Sequence, residues 1–155
     1  MLHISPHPST SPEATELLSA LAADFGDRYG DSHENESPTS GTLRSRLFLL
    51  AWFGDQAVGC VHLSTHEDDC AQISEFYVAP QFRGRGIGRE LLRTLEAHAR
   101  DMGVATLVCE TGARQPEAAA LFEHCGYGRV DRPRSIATDP ACTRFSKTLD
   151  LAGKD

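Results

Sequence analysis

Val78-Ala79-Pro80-Gln81-Phe82-Arg83-Gly84-Arg85-Gly86-Ile87-Gly88-Arg89-Glu90-Leu91-Leu92 decides how the rest of this chain is read. An apolar strand runs into a glycine-rich turn, and the turn opens a helix. Glycines at 84, 86 and 88 permit a tight turn and leave backbone N–H groups unscreened by Cβ atoms. The helix that follows adds its own unpaired N–H groups and the positive end of its dipole. Together these make a cradle for a pyrophosphate.

Spacing excludes two common cradles. A dinucleotide fingerprint begun at Gly84 needs glycine where Arg89 stands, and one begun at Gly86 needs it where Leu91 stands. A nucleoside-triphosphatase loop needs Lys followed by Ser or Thr, and the chain offers Arg89-Glu90.

Working outward, Ala71 to Val78 reads as the strand feeding the turn, and Ile87 to Met102 as the helix leaving it, with Leu91, Leu92, Leu95 and Ala99 on one side and Gly103 past its end. Upstream, Arg46 to Phe53 and Gln56 to Ser64 are strands joined by Gly54-Asp55, with a polar turn over His66 to Cys70. Nearer the start, Leu2 to Ile4 is a short edge strand. A helix begins at Ser11-Pro12-Glu13, with Ser11 as N-cap and Leu17, Leu18, Leu21 and Phe25 as its apolar face. Residues 26–42 lack apolar periodicity and read as a mobile loop or short helix whose acidic Glu34 to Glu36 would face a cationic acceptor. Downstream follow a strand Val104 to Cys109, a helix from Gln115-Pro116 to Gly126, and strands Tyr127 to Val130 and Cys142 to Leu149. The order gives an α/β fold, with a mixed, mostly antiparallel sheet flanked by helices.

A chain of 155 residues, 40% hydrophobic and 24% charged, suits one domain spanning 1–155 that buries its core without staples. No apolar run approaches the roughly 18 residues of a membrane span, and the first residues carry no secretory pattern, so a cytoplasmic location is expected. Five scattered cysteines without a C-x-x-C pair argue against a disulfide framework or a metal site. His62 and His66, four apart on strand and turn, do not converge on one ion. A net charge of −7 argues against a nucleic-acid partner. Arg83, Arg85, Arg89 and Arg93 nevertheless make a local basic patch that suits one polyanionic ligand.

The string Arg83-x-x-Gly86-x-Gly88 after Tyr77-Val78-Ala79-Pro80 resembles the acyl-CoA loop of the GNAT family of N-acetyltransferases. The resemblance extends over Gln72 to Leu149, including Leu107-Val108-Cys109-Glu110-Thr111-Gly112 and Leu121-Phe122-Glu123-His124-Cys125-Gly126-Tyr127. It implies transfer of an acetyl group from acetyl-CoA directly to a primary amine, with no metal, and it admits a homodimer. It also implies a splay between the fourth and fifth strands, placed between Phe76-Tyr77-Val78 and Val108-Cys109-Glu110, where the pantetheine arm would lie. Phe76, Tyr77, Val78, Arg83, Gly84, Arg85, Gly86, Ile87, Gly88, Arg89, Gln115 and Phe122 are the implied acetyl-CoA contacts. Glu110 resembles the catalytic glutamate of the ribosomal-protein N-terminal acetyltransferases, and Glu75 stands on a strand that supplies the base in other branches.

One departure bears on catalysis. The family usually carries Tyr where this chain has Phe122, and its hydroxyl protonates the departing sulfur. Tyr127 occupies an aromatic packing position, so water would protonate the thiolate here. Cys109 near the cleft lacks a histidine to activate it. The alternative function is a weak or inactive CoA-binding or sensing module with the same fold.

Overall fold

The computed structural model of the chain describes residues 1–29, 44–67, 70–111, 116–130 and 143–149. In chain order the elements are β1 (Leu2–Pro6), α1 (Pro12–Tyr29), β2 (Arg44–Phe53), β3 (Gln56–Glu67), β4 (Cys70–Val78), α2 (Ile87–Asp101), β5 (Thr106–Thr111), α3 (Pro116–His124), β6 (Gly128–Val130) and β7 (Thr143–Thr148). A single 3-10 turn, Pro80–Phe82, lies between β4 and α2. The sheet order is β1-β2-β3-β4-β5-β7-β6, and β4–β5 is its one parallel pair among the described residues.

Alternation along the strands divides the apolar side chains between two faces. Leu49, Ala51, Val61, Leu63, Ala71 and Ile73 meet Leu91, Leu92 and Leu95 of α2 and Phe122 of α3 on one face. Phe48, Leu50, Cys60 and Tyr77 meet Ala14 and Leu17 of α1 on the other. Each fully buried leucine of α2 contributes about 1.5–3 kcal/mol relative to exposure, so this helix is clamped to the sheet. Its N-terminus, which carries the glycine turn, is therefore held rigidly at the end of β4.

The parallel ladder is short. Cys70, Ala71 and Gln72 pair with Thr106, Leu107 and Val108, and the pairing stops there although β4 continues to Val78 and β5 to Thr111. The strands thus part after Gln72 and Val108, leaving Val108 still paired rather than inside the gap as expected from the sequence. A bulge in β4 accompanies the parting. Cys60 faces Tyr77 and His62 faces Ser74, so Val61 opposes both Glu75 and Phe76. Glu75 takes φ 49°, the one non-glycine residue with positive φ among those described. The Cys60 thiol lies 3.4 Å from the Glu75 carbonyl and donates to it beneath the bulge.

Several boundaries differ from the sequence reading. Helix α1 continues through Gly26 to Tyr29, because one interior glycine costs only about 1 kcal/mol in a helix of 18 residues. Residues 30–43, where the rest of the anticipated loop falls, and the Phe25 side chain lie outside the described set. Strand β3 runs on to Glu67, since Thr65 still pairs with Ala71 and Glu67 with Cys70. Strand β5 begins at Thr106 rather than Val104, because the Val104 N–H closes the end of α2 on the Ala99 carbonyl at 2.9 Å. It ends at Thr111, so Glu110 sits inside the strand. Ser11 does cap α1, accepting from the Ala14 N–H at 3.2 Å.

Candidate active site

A groove of about 350 Å³ opens along the unpaired stretch of β4. Phe76, Tyr77 and Val78 form one wall, Ala118 and Leu121 of α3 another, and Gly84, Gly86, Ile87, Gly88 and Arg89 close the end at the helix. Leu21 and Asp24 of α1 border it from the other side. The sequence reading did not reach the lining from α1 and α3, because it depends on packing between elements distant in the chain.

The glycine turn does what its composition demanded. Gly84 (φ 79°) and Gly86 (φ 82°, ψ 8°) are left-handed, a conformation that costs an L-residue roughly 1–2 kcal/mol. A Cβ built on either would meet nothing within 4 Å, so the space in front of the turn is open. Gly88 is required for another reason, since its Cβ would stand 3.0 Å from Leu121 Cδ2 and 3.4 Å from Phe76 Cζ. Here α2 approaches the groove walls closely. The first-turn N–H groups of α2 lack intrahelical acceptors, as at any helix start, and face this end of the groove.

The arginines divide their tasks. Arg83 folds back, its Nε donating to the Val78 carbonyl at 2.7 Å and its guanidinium lying 5.4 Å over the Tyr77 ring. Arg85 stacks 5.2 Å over Phe82, and Arg93 reaches Glu90 at 3.6 Å. Arg89 lines the groove and also a second cavity of about 280 Å³ behind α2. Gln115 lies outside the described residues.

Glu110 and Glu75 occupy opposite lips of the parted strands. Leu107 and Cys109 of β5 point into the α2 core, so Glu110 points to the α1 side. There it accepts from Arg144 Nη1 at 2.9 Å, its cross-strand neighbour on β7. Glu75 Oε1 lies 3.1 Å from His62 Nδ1, and His62 Nε2 is 2.8 Å from Ser45 Oγ. Sequence inspection weighed His62 only as a metal partner of His66. The register that sets Ser45, His62 and Glu75 side by side across β2, β3 and β4 has no local signature.

Phe122 is buried and packs against Phe76, Tyr127 and Phe145 at ring-centre distances of 5.7, 5.3 and 5.8 Å. It is a core residue touching a groove wall. Tyr127 turns away from the groove, donating to Glu96 Oε2 at 2.7 Å, and burial followed by the Glu96 carboxylate pushes its phenol well up. Lys147 Nζ completes this buried group at 3.1 Å from Glu96 Oε1 and 2.9 Å from the Cys125 carbonyl. Cys109 is buried, and desolvation raises its thiol far above the ordinary range, which removes it as a nucleophile. Among the described residues no cluster of side chains suits a metal ion, and no helix is long and apolar enough to cross a membrane.

Residues 14–127 match the model of the acetyltransferase (GNAT) family. The chain is 34% identical over 114 residues to YjgM of Escherichia coli, an uncharacterized N-acetyltransferase, covering 72% of this chain and 68% of that protein. A crystal structure from Klebsiella pneumoniae, described as an acyl-CoA N-acyltransferase, superposes with a TM-score of 0.80 at 30% identity, over 97% of this chain and 99% of that one. A GNAT acetyltransferase from Elizabethkingia anophelis with acetyl-CoA bound shares the fold at a TM-score of 0.68 and 21% identity, over 96% and 98% of the two chains. The parted strands, the left-handed glycine turn at the head of α2 and these matches lead to one conclusion: the chain belongs to the GNAT family of acetyltransferases.

Proposed function

We propose that the protein transfers an acetyl group from acetyl-CoA directly to a primary amine, with the groove along β4 as donor site. The observation that carries this reading is the continuity of the groove from the open glycine turn to Phe76, the neighbour of Glu75 in the β4 bulge. Amides from Arg83 to Arg89 would hold the pyrophosphate, with Arg89 adding charge. The pantetheine arm would then run back along β4, past backbone groups of Val78 and Phe76. Its thioester would arrive at the bulge, between the lips carrying Glu75 and Glu110.

In the step itself the amine nitrogen attacks the thioester carbonyl. A C–N bond forms, the C–S bond breaks, the nitrogen gives up its proton and the CoA thiolate gains one. Alignment of the two reactants supplies most of the acceleration, and backbone donors at the parted strands steady the oxyanion. A carboxylate at the lip accepts the amine proton, and Glu75 and Glu110 are the two that face the acceptor side. With Phe122 in the core, no hydroxyl from that position reaches the sulfur, so solvent protonates the thiolate. Release of free thiol from acetyl-CoA across a panel of amines tests the proposal, which requires turnover with at least one of them.

Phe122 also favours a second reading, a module that binds CoA without turnover. Wild-type protein that binds acetyl-CoA but releases no thiol with any amine, polyamine, peptide N-terminus or lysine peptide would establish it.

A further inference from the structure

Glu75 holds a conformation that the chain does not adopt at any other described non-glycine residue, with φ at 49° in the middle of a strand. Backbone strain of this kind persists where the surroundings over-determine it, and it gathers at functional sites. The surroundings here are identifiable. The Cys60 thiol donates to the carbonyl of Glu75, and His62 Nδ1 stands 3.1 Å from its carboxylate. The imidazole is itself fixed, by the Phe48 ring at 5.7 Å and by Ser45 Oγ at 2.8 Å from Nε2. The His62 side chain is 16% exposed and that of Glu75 42%, so the imidazole is sheltered while the carboxylate meets solvent.

We infer that His62 is the positioning residue that makes Glu75, rather than Glu110, the base of the acetyl transfer; this rests on the acetyltransferase reading above. A proton must lie between Nδ1 and Oε1, since a lone pair facing a carboxylate repels. With that proton on Nδ1, Nε2 accepts from the Ser45 hydroxyl. When the incoming ammonium loses its proton to Glu75, the carboxylate oxygen that His62 does not hold takes it, while Nδ1–H goes on donating to Oε1. Donation from the Ser45 hydroxyl to Nε2 keeps the ring proton on Nδ1 throughout. One proton enters from the amine, and the same proton leaves to solvent once the amide has formed. Glu110 is held instead by the Arg144 guanidinium at 2.9 Å.

The test uses the full chain with whichever amine the panel identifies. His62→Ala should lower kcat at least tenfold with the acetyl-CoA dissociation constant unchanged, and added imidazole should restore a saturable part of the loss. Glu75→Gln should lose about 10² in kcat and respond to no imidazole. In the double variant the losses should fall short of multiplying, as for groups that act as a unit. Wild-type turnover with His62→Ala at full kcat, or loss without imidazole rescue in a variant that melts as wild type, overturns the role of His62. If His62→Ala melts early, His62→Gln, which keeps a polar group near Ser45, gives the decision by the same kcat criterion. Absence of wild-type turnover with every amine would instead overturn the parent reading.

Discussion

Gly86→Asp separates the two demands that the glycine turn meets. At φ 82° and ψ 8° the residue is left-handed, and a side chain there meets no atom within 4 Å. The substitution therefore costs the backbone term alone, about 1 kcal/mol for Asp, which visits this region more readily than most residues. Asp gains nothing as an N-cap, because capping needs extended backbone at that position. For a chain of this size about 1 kcal/mol lowers Tm by about 2–4 °C, and the protein stays folded. Binding is another matter. Acetyl-CoA at a hundred times its dissociation constant stabilises a wild-type fold by about 2.7 kcal/mol, or roughly 5–11 °C. A carboxylate about 4 Å from a phosphate opposes it by about 4 kcal/mol at an effective dielectric constant near 20, which exceeds the whole ligand gain. Thermal unfolding with and without millimolar acetyl-CoA reads both terms. The expected result is a slightly lower Tm that no longer responds to acetyl-CoA, whereas Gly86→Ala, at least as strained in its backbone but free of charge, keeps part of the response. A Gly86→Asp protein with the wild-type ligand shift would refute the placement of the pyrophosphate.

Four further outcomes are expected. Lys147→Met leaves the Glu96 carboxylate buried beside Tyr127 alone, and chemical denaturation should show a loss of about 3 kcal/mol, with little change in acetyl-CoA affinity. Cys60, raised by burial to about 12, and Cys109, raised further by burial, should resist alkylation in the native protein and react only after unfolding, as read by peptide mass mapping. The same Cys60 shift has a linkage consequence. The folded thiol keeps a proton that the unfolded chain releases above the ordinary 9.0, so stability should fall as pH rises from 9.0 toward about 12. Glu110→Gln should leave acetyl-CoA affinity intact and cost less in kcat than Glu75→Gln; the reverse order in steady-state kinetics would return the base to Glu110.

The features legible in the sequence were those written locally. Gly84, Gly86 and Gly88 declare a turn at a helix start because only glycine tolerates that backbone and that approach, and the apolar spacing of Leu91, Leu92 and Leu95 sets the helix behind it. The hairpin at Gly54-Asp55 and the cap at Ser11 were equally local. What escaped was set by register and packing. Whether β4 bulges at Glu75 depends on how β3 counts against it, and Ser45 meets His62 only once β2 and β3 are aligned. Glu96 reads as a charge on a helix until Lys147 and Tyr127, far along the chain, close over it. Likeness alone points to Glu110 as a base, while the partners that set it apart from Glu75, Arg144 for one and His62 for the other, are spelled out by no motif.

Amide hydrogen exchange with and without acetyl-CoA reads the very backbone N–H groups that would hold the pyrophosphate. Acetyl-CoA should bring new protection concentrated over residues 83–89, with the amides at the head of α2 slowed most, and Gly86→Asp should abolish it. Acetyl-CoA that leaves these amides unchanged, or that protects the cavity behind α2 instead, would contradict this placement of the pyrophosphate.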